Sequence, residues 1–140
     1  MVNQKLVDEN ETHLLFKQNK IITKNISNGI IRSLIAWNLT IQDLHGYALM
    51  KKIDEFFEPQ IKAGLINEIS NSKVYPILAQ MEKEGLLESY TGMNNNNEVK
   101  FYKITPKGIR VFETIKQDLQ KNLKRAVVKE YFQMMFGVDI

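Results

Sequence analysis

Ser70–Ser89 reads SNSKVYPILAQMEKEGLLES, and beyond a polar interruption Val99–Gly108 reads VKFYKITPKG. In the first stretch Val74, Ile77, Leu78 and Met81 recur at i, i+3, i+4 and i+7, the spacing of one buried helix face. Ser70, Asn71 and Ser72 each offer an N-cap oxygen. Pro76 lacks an N–H and is tolerated best near a first turn, so the spacing predicts a regular helix starting around Ser72. Gly85 is a suitable stop. Leu86 to Tyr90 then reads as a short strand. Gly92–Asn97 (GMNNNN) reads as a turn, because Gly and Asn tolerate positive φ. From Val99 to Ile104, Val99, Phe101 and Lys103 alternate with Lys100, Tyr102 and Ile104, as on a strand. Thr105 is placed to cap a further helix whose first residue is Pro106.

Upstream, Ile26, Ile30, Ile31, Leu34, Ile35, Asn38 and Leu39 form a helical stripe. Trp37, near its end, is assigned to the core. Thr40–Asp43 breaks the pattern and Asp43 can cap a second helix over about 44–57. That helix is expected to bury Leu44, Tyr47, Ala48, Met50 or the stem of Lys51, Ile53 and Phe57, with Pro59 ending it. Gly46 in its first turn costs about 1 kcal/mol relative to alanine, which suggests close packing of another backbone at that point. Residues 1–25 are polar except for Leu14, Leu15 and Phe16, which allow a short helix over roughly 9–18. Such a helix is too short to stand alone.

The resulting order is helix, helix, helix, strand, turn, strand, helix. It predicts a mainly α fold with a small β-hairpin: a winged helix-turn-helix with the third helix presented outward and the hairpin as its wing. The division expected is an N-terminal extension over 1–25, a winged-helix domain over 26–105 and a C-terminal helix over 106–140.

Composition narrows the function. At 140 residues the chain holds one ordinary domain with an appendage. It has no cysteine, which excludes disulfides and thiol chemistry and fits a cytoplasmic setting. With only His13 and His45, no metal site is assigned. No apolar run reaches the roughly eighteen residues of a membrane span, and the N-terminus lacks the apolar core of a secretory signal. The net charge of +3 is unevenly placed. Between Gly92 and Arg110, Lys100, Lys103, Lys107 and Arg110 face the single acid Glu98, so this stretch carries +3 and the rest sums to zero. A neutral body with one basic region fits a local anionic contact.

The segments HGYALMKKI (45–53), SNSKVYPILAQMEKEGLLES (70–89) and FYKITPKG (101–108) resemble, in order and spacing, the PadR-like transcriptional regulators. The resemblance covers about residues 26–115. It implies a winged-helix DNA-binding regulator, a repressor, that occupies operator DNA as a homodimer. It also allows a small hydrophobic effector, whose identity nothing in the chain specifies. Two departures stand out: Ser72-Lys73 occupies the place where the family often has Gly-Thr, and the N-terminal extension is longer than usual.

In a helix-turn-helix the start of the second motif helix enters the major groove. With Val74, Ile77, Leu78 and Met81 inward, Asn71, Ser72, Lys73, Tyr75 and Gln80 become the candidates for DNA contact. Asn and Gln can pair with adenine, Lys with guanine or phosphate, and hydroxyls with either. The same residues also fit an ordinary solvated helix face, and Tyr75 equally fits burial beside the wing. Lys100 and Lys103 flank the strand that leaves the wing and are candidates for phosphate contact. Lys51 and Lys52 carry less weight, since adjacent lysines on a surface helix are ordinary. His45 fits a cap or packing role better than a proton switch.

No Ser–His–Asp order, metal-ligand pair or phosphate-cradling loop can be assembled, so no enzyme and no cofactor are expected. The rival to a DNA-binding regulator is a winged-helix protein-interaction module. The last helix carries Ile109, Phe112, Ile115, Leu119, Leu123, Val127, Tyr131, Phe132 and Met135 at gaps of three and four. If continuous from Pro106 to Phe136 it would be about 46 Å long, more than the core can cover. The far half must bury its stripe against another chain, against the N-terminal segment, or both, and Leu119, Leu123, Val127, Tyr131, Phe132 and Met135 are the expected dimerisation residues.

Overall fold

A computed structural model of the chain describes residues 20–137, together with residues 10, 11, 14 and 15. Asn10, Glu11, Leu14 and Leu15 are helical and exposed; the rest of the expected 9–18 helix lies outside the described residues. The elements in chain order are helix α1 (Lys20–Ile41), strand β1 (Leu44–His45), helices α2 (Gly46–Phe56), α3 (Glu58–Lys62) and α4 (Asn71–Lys83), strands β2 (Leu87–Asn94) and β3 (Asn97–Ile104), and helices α5 (Pro106–Asn122) and α6 (Ala126–Phe136). The expected winged-helix order is present, on a three-stranded antiparallel sheet ordered β1-β3-β2.

One core holds the parts together. Ile31, Leu34, Ile35 and Leu39 of α1 meet Leu49 and Ile53 of α2, Val74, Leu78 and Met81 of α4, and Leu87, Tyr102 and Ile104 of the sheet. Asn38 is also buried, and its amide is satisfied by donating to the Leu34 carbonyl at 2.8 Å. Removing each large side chain of this cluster from water contributes about 1.5–3 kcal/mol.

Several sequence expectations change. Helix α1 begins at Lys20 and so crosses the expected 25/26 division. Trp37 is 53% exposed rather than in the core, because the buried stripe of α1 runs through residues 31, 34, 35, 38 and 39 and leaves it outside. On α2 the inward positions are Gly46, Leu49 and Ile53, while Tyr47 faces out at 60% exposure. The shift follows from the start of α2: Leu44 and His45 pair with Tyr102 and Phe101 as strand β1, so the helix turns begin two residues later. The cap is His45 and not Asp43: its Nδ1 accepts the Ala48 N–H at 3.3 Å.

The wing is longer and its turn tighter than the composition implied. Strands β2 and β3 pair from Leu87↔Ile104 to Asn94↔Asn97, leaving only Asn95 and Asn96 as the loop. Both have positive φ (52° and 65°), the backbone required by a two-residue hairpin whose twist matches its strands. Gly92 lies within β2, where a Cβ would sit 2.7 Å from the Phe101 ring.

The C-terminal helix is not continuous. It divides at residues 123–125, where the Lys124 and Arg125 N–H groups turn back to Lys121 and Asn122 at 3.4 and 3.0 Å. Arg125 is extended and opens α6 without a side-chain cap. No Gly or Pro is needed: i→i+3 bonds close the turn, and Lys121 and Lys124 sit favourably at the negative end of α5.

Candidate nucleic-acid interface

Helix α4 packs Val74, Leu78 and Met81 inward, so Asn71, Ser72, Tyr75 and Gln80 are exposed and Lys73 is half-buried. Ser70 and Ser72 share a hydroxyl–hydroxyl bond of 2.9 Å, and no side chain caps the helix. Its leading N–H groups are therefore available to an anion. Lys73 and Gln80, seven residues apart, lie on one face about 10 Å apart along the axis. Gln80 is engaged: its amide donates to Glu84 at 3.0 Å. That bond comes first among the causes that hold the Glu84 carboxyl below the ordinary carboxylate range, with Arg32 and Lys107 adding to it.

Tyr75 is 42% exposed, and its ring lies against Gly46, where a Cβ would come within 2.5 Å of the phenolic oxygen. Gly46 is thus the point at which the start of α2 meets α4. The close packing expected there is present, although the neighbour is a side chain and not a backbone.

The two wing lysines do not come together. An odd separation along a strand puts them on opposite faces. Lys100 points toward α4, 3.5 Å from Glu82, with its ammonium 5.4 Å from the centre of the Tyr102 ring. Ser89 donates to the other Glu82 oxygen at 3.2 Å, so Glu82 ties α4 to both wing strands. Lys103 lies 3.6 Å from its cross-strand neighbour Glu88. Eighteen residues of chain separate Glu82 from Lys100, so the sequence alone does not show this pair. The Gln80–Glu84 bond, by contrast, is legible as an i,i+4 pair.

On the outer face of the sheet, Tyr90 stacks on Phe101 at 5.6 Å and His45 meets the same ring edge-on at 5.6 Å. The Tyr90 hydroxyl donates to Asp43 at 2.6 Å, a bond that raises its phenol above the ordinary value. His45 therefore has the cap-and-packing role open to it in the sequence. His45→Ala is expected to cost about 1 kcal/mol in urea unfolding, and His45→Asn, which keeps a capping oxygen, less than that. Equal losses in the two variants would show that packing on Phe101, and not the cap, carries the effect.

Among the described residues no group of three His, Asp or Glu could hold a metal ion, and no helix is long and apolar enough to cross a membrane. Residues 37–114, more than half of the chain, match the model of the transcriptional regulator PadR-like family. Among solved structures, a transcriptional regulator from Clostridium thermocellum is 26% identical, with a TM-score of 0.53 over 71% of this chain and 92% of that one. A PadR-like transcriptional regulator from Bacillus cereus is 23% identical, with a TM-score of 0.59 over 79% and 95%. A PadR family transcription regulator from Clostridium difficile, also 23% identical, aligns at a TM-score of 0.53 over 76% and 98%. The search of curated proteins gives no match.

Proposed function

This chain belongs to the transcriptional regulator PadR-like family, and from that premise we propose that it is a cytoplasmic, homodimeric repressor that occupies two operator half-sites and blocks transcription. The observation that carries the proposal is α4: an uncapped helix whose first turns present Asn71, Ser72, Lys73 and Tyr75 outward beside a paired wing. Asn71, Ser72, Lys73 and Tyr75 are the residues proposed to meet the major groove. Gln80 joins them by exchanging Glu84 for a base. Lys100 and Lys103 reach phosphate only by leaving Glu82 and Glu88. The Lys103–Glu88 pair is exposed on both sides, of the kind worth about 0–1 kcal/mol, while Glu82 is half-buried and keeps its bond from Ser89 when Lys100 leaves.

Dimerisation is proposed through Leu119, Leu123, Val127, Tyr131, Phe132 and Met135. Its support is the apolar surface of α5 and α6, where α6 has no buried residue. A small hydrophobic effector acting on the spacing of the two α4 helices fits this architecture.

Selection of bound fragments from random duplex DNA tests the reading. A dimer that neutralises about six to eight phosphates is expected to show a log–log salt slope of roughly −5 to −7. On the recovered operator, Lys73→Ala or Gln80→Ala should cost about 1–3 kcal/mol if the residue reads a base, with little loss on scrambled DNA. Lys100→Ala and Lys103→Ala should weaken both duplexes alike. Failure to bind any duplex at low salt would leave a protein-interaction module as the better reading.

A further inference from the structure

The charges around α4 are unequally free. Lys100 and Lys103 stand against Glu82 and Glu88, and Lys52 against Glu55. Lys51 has no ion-pair partner among the described residues. It lies one helical turn beyond Tyr47 on the same face, and its ammonium sits 4.8 Å from the centre of the Tyr47 ring. That ring is 60% exposed and lies parallel to His45 at 6.4 Å, the residue that caps α2 and pairs with β3. The contact of Gly46 with Tyr75 sets this pair immediately beside the outward face of α4. A cation on a long side chain is thus held over an exposed phenol ring on α2, with only the short α3 between that helix and α4.

We propose that Lys51 and the Tyr47 hydroxyl form a clamp for a DNA backbone phosphate, flanking the groove that α4 enters. The proposal rests on the DNA-binding reading and adds a backbone contact to it. In a helix-turn-helix the first motif helix crosses the phosphate backbone, so an anion there is the chemistry that this pair meets. The ring takes no charge from Lys51, whereas a carboxylate in its place would compete with phosphate. Of the four acids that line the shallow groove behind Lys51 (Asp54, Glu55, Glu58 and Glu68), three have other partners. Asp54 accepts the Ile69 N–H at 2.8 Å, Glu55 faces Lys52 at 3.9 Å, and Glu58 faces Lys62 at 2.6 Å. Lys51 thereby contributes to affinity and docking register but not to sequence choice.

The test is titration of the full-length protein with two duplexes of about 30 base pairs, one recovered by selection and one of mixed sequence, across a range of salt. Lys51→Gln is expected to weaken both duplexes by the same factor, about tenfold, and to make the salt slope shallower by about 0.9 for each phosphate released. Lys51→Arg should restore the slope, and Tyr47→Phe should lose affinity at an unchanged slope. Lys51 is exposed on a helix surface, so thermal melts should match the parent protein. A Lys51→Gln protein with the parent affinity and slope overturns the clamp alone, as does a loss confined to the selected duplex. A parent protein that binds neither duplex overturns the DNA-binding reading and the clamp together.

Discussion

Gly108→Ala is expected to destabilise the protein by about 2–4 kcal/mol, although alanine is the better helix former by about 1 kcal/mol. Gly108 is buried in the first turn of α5. A Cβ there would overlap the Leu86 carbonyl oxygen and come 2.7 Å from Cγ1 of Ile104. The isoleucine can rotate, but the carbonyl cannot easily retreat. It accepts the Thr105 N–H at 3.0 Å, while the Thr105 hydroxyl donates to Gly85 at 2.6 Å and accepts the Gly108 N–H at 2.9 Å. Moving α5 away loosens this whole junction between the end of α4 and the end of β3, at about 1 kcal/mol per hydrogen bond. The steric term therefore exceeds the gain in helix propensity. Urea unfolding should show a lower midpoint at an unchanged slope. Gly29→Ala is the matched control: Gly29 also lies inside a helix, but nothing stands within 4 Å of its Cβ position. That variant should be as stable as the parent or more so, by up to about 1 kcal/mol. If Gly108→Ala unfolds with the parent, the tight junction is not the reason for the glycine.

Leu119→Glu is expected to convert a dimer into monomers. Leu119, Val127, Tyr131 and Met135 are each between 56% and 59% exposed, and they line the far end of α5 and the whole of α6, which has no buried residue. An apolar surface of this extent on a folded protein marks an interaction site. A carboxylate placed in the proposed seam would be left without a partner there, and about 3 kcal/mol of lost association corresponds to a dissociation constant roughly a hundredfold higher. Sedimentation across a concentration series measures it. The thermal melt of the monomeric winged-helix part should change less than the dimer constant does, since Leu119 is 59% exposed and lies outside the core cluster. A parent protein that sediments as a folded monomer at micromolar concentration would remove the homodimer.

Much of the architecture is written in local pattern. The face of α4 is legible because Val74, Leu78 and Met81 obey the helix period, and β3 because its side chains alternate. The start of α5 is legible because Thr105 and Pro106 are a cap and a first-turn residue in their own right. Chemistry of this kind depends on neighbours within a turn or two of chain, and a sequence displays those directly. The family resemblance rests on the same segments. Strand β1 is different: two residues have no period, and Leu44 and His45 become a strand only because the edge of β3 is there to pair with. That pairing moved the register of α2, turned Tyr47 outward and brought Leu49 in. The division of the last helix at residues 123–125 has no breaker residue to announce it, since backbone bonds alone close the turn. The ion pairs of the wing belong to the tertiary structure, whereas Gln80 with Glu84 and Lys51 with Tyr47 are i,i+4 neighbours. Sequence shows that Lys51, Lys73, Lys100 and Lys103 are cations. Only packing decides that Glu82 and Glu88 stand against the wing pair, because an ion pair is set by distance in space and not by distance along the chain.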